Sequence, residues 1–145
     1  MFSIYVNYIA IVVVAIANMF LGFLWFGPLF GKTWTRLMGW SQTQIEEGKA
    51  KMKKDGWKTY LLAFLGSLVM ACVLGKFLVF LSFYLGLTGL AAGLKVGFLS
   101  WLGFIAPVTL GSVLWEGKSW RLWFLMNSYY LVALLIMGSI LAVWM

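Results

Sequence analysis

From Thr59 to Trp115 the chain runs for 57 residues with two charged side chains, Lys76 and Lys95. About 20 consecutive apolar residues suffice to cross the ~30 Å hydrocarbon core of a bilayer, so a run this long holds more than one membrane span. Two further runs flank it, Tyr5 to Phe26 and Trp120 to Trp144. The first holds 22 residues without a charge, about 33 Å of helix at 1.5 Å per residue. No positive charge precedes it and no small-x-small cleavage site follows, so it is expected to stay as a span rather than leave as a signal peptide. Hydrophobic residues make up 63% of the chain and charged residues 10%, against about 45–50% and 25% in soluble domains. The class is an all-α membrane protein.

Charge spacing sets the parse. Cutting the long run at each lysine would leave no residues for turns. Two helices over about 59–83 and 90–114 are predicted instead, with Gly86 stopping one and Thr88 capping the next. With spans over about 5–26 and 120–144, residues 1–145 form one four-span domain. Pro28 pushes Gly27 out of helical geometry, so the first span is expected to end there. The loop 31–58 carries ten of the fifteen charges. Thr43 and Glu46 have the spacing of a capping box, and lysines crowd the turns before Gly56, which predicts a separate short helix over about 44–54. Glu47 and Lys51 are spaced to pair within it. Trp34, Leu37, Met38 and Trp40 alternate with polar residues, as in a segment lying among lipid headgroups.

Lys and Arg give an orientation. Nine of the eleven fall between spans 1 and 2 or between spans 3 and 4, which predicts that both loops are cytoplasmic and both termini lie outside. Trp25, Trp34, Trp40, Trp57, Trp115, Trp120 and Trp123 then belt the inner boundary, and Tyr5, Tyr8, Tyr84 and Trp144 the outer one.

Two corners resemble each other. Leu24-Trp-Phe-Gly27-Pro-Leu-Phe-Gly31-Lys-Thr-Trp34 and Leu114-Trp-Glu-Gly117-Lys-Ser-Trp120 both read Leu-Trp-x-Gly into Gly-Lys-(Thr/Ser)-Trp. A duplication of residues 1–86 and 87–145 would make two tandem helical hairpins, related by an axis along the membrane normal. Together with the Asn7-Tyr8 start and the Asn18-Met-Phe-Leu-Gly22 segment, these blocks resemble the bacterial family catalogued as domain of unknown function 1761. The resemblance covers essentially the whole chain. It implies a small bacterial multi-pass membrane protein of unassigned function, and it carries over no catalytic residue; the expected location is the inner membrane.

Several activities are excluded or disfavoured. The charge of +7 is segregated into short loops, so nucleic acid is not an expected partner; the bilayer is. One cysteine and no histidine remove internal disulfides, imidazole ligation and His-assisted nucleophiles, so no metal or cofactor is expected. Gly27-Pro-Leu-Phe-Gly31-Lys32-Thr33 is one residue short of a P-loop and lacks its strand. No Asp or Glu sits at mid-membrane, which argues against proton-coupled cation export. Glu116 with Ser119 is the sole candidate pair for lipid chemistry, and a poor one.

What remains points to binding. Ser67, Ala71 and Gly75 in span 2 and Gly89, Gly93 and Gly97 in span 3 recur every four residues, so these spans are expected to pack closely together. Pro107 should free the Gly103 carbonyl and kink span 3. Asn18 and Asn127 are candidate intramembrane polar contacts at similar depth. The candidate functional surface joins the corners: Trp25, Gly27, Pro28, Gly31, Lys32, Trp34 and Arg36 at the first, and Trp115, Glu116, Gly117, Lys118, Trp120 and Arg121 at the second. Glu116 is expected to pair with Arg36 or Arg121, whose guanidinium fork suits a carboxylate. The expected function is non-enzymatic binding or passage of a small or lipidic ligand by a homo-oligomer. The alternative is an accessory subunit docking a cytoplasmic partner through loop 31–58.

Overall fold

The computed structural model describes residues 6–144, all of whose regular elements are helical; Tyr5, the expected start of span 1 and an outer-boundary marker, lies outside them. Helix α1 covers Tyr8–Leu29. Asn7 is extended, and its side chain accepts from the Ile9 and Ala10 N–H groups, satisfying two orphan donors of the first turn. Contrary to expectation, α1 does not stop before Gly27. Its last turn, Trp25–Leu29, widens so that the Phe30 N–H reaches the Trp25 carbonyl five residues back, at 2.9 Å. Pro28 has no N–H to give, and the shift to a five-residue register absorbs that loss.

A short amphipathic helix, α2, covers Gly31–Met38 and ends at Gly39 with φ 72°. Helix α3 then runs unbroken over Gln42–Leu85, 44 residues or about 66 Å. The separate short helix over 44–54 is therefore corrected: it and span 2 are one. Gly56 inside a helix costs only about 1 kcal/mol relative to Ala. A glycine ends a helix when it turns left-handed, as Gly86 does with φ 63°; Gly56 keeps helical geometry beneath the Met52 methyl group, 3.6 Å from where its Cβ would be. The capping box also lies two residues earlier than expected, with the Ser41 hydroxyl accepting from the Gln44 N–H and the Gln44 side chain from the Ser41 N–H.

After the predicted turn at Gly86–Gly89, α4 covers Gly89–Leu114. Thr88 occupies its cap position, but the hydroxyl makes no capping bond. Pro107 acts through the turn before it: Trp101–Ile105 is wide like the end of α1, the Ala106 N–H bonding the Trp101 carbonyl. Helix α5, Trp120–Trp144, is capped by the Ser119 hydroxyl, which accepts from the Leu122 N–H at 3.2 Å. All four long helices have the length and apolarity to cross a membrane.

Helices α3 and α5 touch each other, and each touches both α1 and α4; among the described residues α1 and α4 share no substantial contact. The cross-section is a rhombus with α3 and α5 on its short diagonal. Its apolar core, built from Val14, Leu78, Val96, Met137 and Leu141, sits in the half next to the Gly86 turn. The tightest pair is α4 with α5. A Cβ on Gly93 would overlap the Gly138 carbonyl and come within 2.8 Å of the Ala142 Cβ, and one on Gly97 would strike the Leu134 backbone. The expected α3–α4 pairing through small residues is thus corrected. Gly93 and Gly97 receive α5, whereas Gly75 receives Val6 and Ser67 meets Asn18 of α1. Small residues mark where a backbone comes close and leave open which one.

Replacing Gly93 by Leu should lower stability by about 1–3 kcal/mol through overpacking, seen as a lower melting temperature in detergent. Gly103→Ala, where an added Cβ meets nothing within 4 Å, should match or exceed wild type. Equal melting of the two variants would show that α4 and α5 do not pack closely at Gly93.

Candidate functional site

The end opposite the Gly86 turn, where α1 leads into α2 and α4 into α5, holds the buried polar side chains. Asn127 and Tyr129 are two residues apart on α5, hence about 200° apart around it, and they serve opposite neighbours. Toward α1, the Tyr129 hydroxyl donates to Asn18 Oδ1 at 3.4 Å, and Asn18 Nδ2 donates to Ser67 Oγ of α3 at 2.8 Å. Gly22 makes room for this, since a Cβ there would lie 3.1 Å from the Tyr129 hydroxyl. Toward α4, Thr109 donates to the Ile105 carbonyl at 2.8 Å, just after the wide turn, and accepts from Asn127 Nδ2 at 2.9 Å and Trp123 Nε1 at 3.2 Å. Asn18, Ser67 and Asn127 are all buried. Asn18 and Asn127 therefore lie in separate networks joined through α5.

The first corner is a packed aromatic cluster. Phe26 lies 5.0 Å from Tyr129 and 4.9 Å from Trp34, and Trp25 lies 4.7 Å from Phe30. Trp34 also stacks edge-on against Trp40 at 5.1 Å. Gly31 is required by the backbone: a Cβ there would sit 2.8 Å from the Phe26 carbonyl oxygen. The indole N–H groups of Trp25 and Trp34 are buried with no acceptor, as is that of Trp101 in the α4 wide turn. A buried indole N–H normally finds a partner. Trp123, bonded to Thr109, is the contrasting case. On the outer face of α2, Lys32 and Arg36 are one helical turn apart and exposed.

The second corner is built differently. Every residue from Leu114 to Arg121 is exposed, Trp115 at 86%. Gly117 turns the chain at φ 70°, and the Lys118 N–H reaches back to the Ser112 carbonyl. The expected pairing of Glu116 with Arg36 or Arg121 is corrected: among the described residues the ion pair formed joins Lys58 to Asp55 at 3.0 Å. Glu47 and Lys51 do not pair either. An exposed carboxylate gains little from an ion pair while losing side-chain entropy. Of the expected surface, Trp25, Gly31 and Trp34 enter the cluster, whereas Gly27, Pro28, Lys32, Arg36 and the whole second corner lie on the outside. Ser119 is occupied by capping. No group of three metal-ligating side chains occurs among the described residues. At the other end, an open and mainly apolar cleft of about 300 Å³ lies beside Leu78, Leu87, Thr88 and Ala142.

Sequence reasoning missed Ser67 and Tyr129 as polar partners. Ser67 was read only as a small packing residue, and the run Asn127-Ser128-Tyr129-Tyr130 carries no sign of where the Tyr129 hydroxyl points. Ser67→Ala would leave Asn18 Nδ2 buried without its acceptor and should cost about 1–2 kcal/mol, whereas Glu116→Gln should leave stability unchanged. Chemical unfolding in mild detergent measures both; a larger loss for Glu116→Gln would reverse the assignment of what holds this end together.

Neither the search of curated proteins nor that of solved structures finds a match. A family model described as "Protein of unknown function (DUF1761)" matches residues 9–142. That span takes in all four apolar helices, both corners and both polar networks, so the chain belongs to the DUF1761 family.

Proposed function

We propose that this chain is a non-enzymatic integral membrane protein of the bacterial inner membrane that binds or passes a small or lipidic ligand at its corner end, working as a homo-oligomer. The observation that carries this reading is the aromatic cluster in which Trp25 and Trp34 hold indole N–H groups with no acceptor. Each such orphan costs about 1–3 kcal/mol when nothing pairs with it. Entry of a ligand carrying an ester, carbonyl or phosphate oxygen would relieve that cost, and the surrounding rings would take its apolar part. The excess of Lys and Arg at the two corners supports a cytoplasmic corner end and external termini. Lys32 and Arg36 on α2 would then face the anionic inner leaflet, each cation there worth about 1 kcal/mol.

Native mass spectrometry from mild detergent tests this directly. The wild type should emerge with bound lipid or another small molecule, and Trp34→Phe, which removes one donor and keeps a ring, should lose most of that adduct. A wild type free of adducts, or equal occupancy in both proteins, would overturn the reading. The second reading, an accessory subunit, draws on residues 42–54 of α3, which are nearly all exposed. Crosslinking from that segment to one dominant cytoplasmic partner would favour it.

A further inference from the structure

The corner cluster offers ring faces and unpaired donors. Trp25 connects to Trp34 through Tyr129 and Phe26, with ring centroids 6.2, 5.0 and 4.9 Å apart in turn. At either end of that path an indole N–H is buried without an acceptor. The planes of these pairs meet at 49°, 66° and 56°. No two faces cover each other, which leaves an indole face for a flat guest. Among the described residues no charged side chain enters the cluster, since Lys32 and Arg36 are exposed. The hydroxyl of Tyr129 already serves Asn18.

Those properties select among ligands. An anionic head would be buried without a countercharge, which costs far more than burying a neutral one. A head rich in hydroxyl or amine groups would bring donors to a site whose own donors are unpaired. What fits is a guest that brings acceptors alone, on a flat electron-poor ring, with a tail that hydrocarbon can hold. We propose that the corner cluster binds the oxidised form of a membrane quinone, its two ring carbonyls accepting from Trp25 Nε1 and Trp34 Nε1. This rests on the ligand-binding reading above and narrows its ligand, setting phosphate aside. Helix α2 is the cover that yields. None of its residues is fully buried, its main contacts are with the last turn of α1 and with α5, and it ends at the left-handed Gly39. An element held by so few buried contacts opens locally at small cost, and lifting it parts Trp34 from Phe26.

The test is native mass spectrometry of the full-length protein in mild detergent, titrated with decylubiquinone, with decylubiquinol kept reduced, or with dioleoylphosphatidylglycerol. Decylubiquinone should bind about tenfold more tightly than either of the others. Trp25→Phe and Trp34→Phe, which each remove one donor and keep a ring, should each weaken it several-fold. Trp57→Phe, whose indole is exposed, should not. The melting temperature of each ligand-free variant should equal or exceed that of the wild type, since an unpaired buried donor is gone. Quinol or phosphatidylglycerol bound as tightly as the quinone, and lost in Trp34→Phe, would overturn the quinone while leaving a ligand at the cluster. Binding unchanged by both Trp25→Phe and Trp34→Phe, or no binding of any probe, would overturn the site itself.

Discussion

The approach of α4 to α5 at Gly93 and Gly138 governs the rest of the bundle. The two backbones come so near that neither glycine has room for a methyl group. In a bilayer, dispersion contacts and backbone proximity replace the hydrophobic drive that water would supply. That contact fixes the rotation of α5 about its axis. With the rotation fixed, Asn127 is presented to α4 and Tyr129 to α1, and the two networks at the corner end follow from it.

The two ends of the bundle are then unlike. The end near the Gly86 turn is held by packed aliphatic side chains beside an open apolar cleft, and the corner end is held by hydrogen bonds and ring contacts. Each of α1 and α4 approaches the corner end through a wide turn linked to a proline, Trp25–Leu29 around Pro28 and Trp101–Ile105 ahead of Pro107. A helix in hydrocarbon has no water to satisfy a freed carbonyl, so a register shift is the economical way to accommodate proline there. Each wide turn opens with a tryptophan whose indole N–H lacks an acceptor. The buried polar side chains are gathered at the end where the backbone is least regular.

Lengths and solvents were legible in the sequence because they depend on composition over about 20 residues and on nothing distant. The four spans belong to that category; the turn at Gly86 and the family resemblance were legible from short local blocks of sequence. Breaks were less legible. Gly56 and Pro28 both read as helix ends, yet α3 passes through one and α1 through the other, because continuing the ladder cost less than stopping it. The residues of the candidate site divide in the same way. Trp25, Gly31 and Trp34 were recognised as special from their local block, while Ser67 and Tyr129 were not.

Residue chemistry alone determined that this chain crosses a membrane four times, that small residues line close contacts, and that Asn18 and Asn127 need partners. Only the tertiary structure decided who those partners are. Gly93 could have met α3 as readily as α5, and Glu116 could have met an arginine instead of solvent. Spacing along one helix specifies a face, whereas choosing a partner compares the packing of every helix that might occupy that face. Such a comparison exists only once all four helices are assembled.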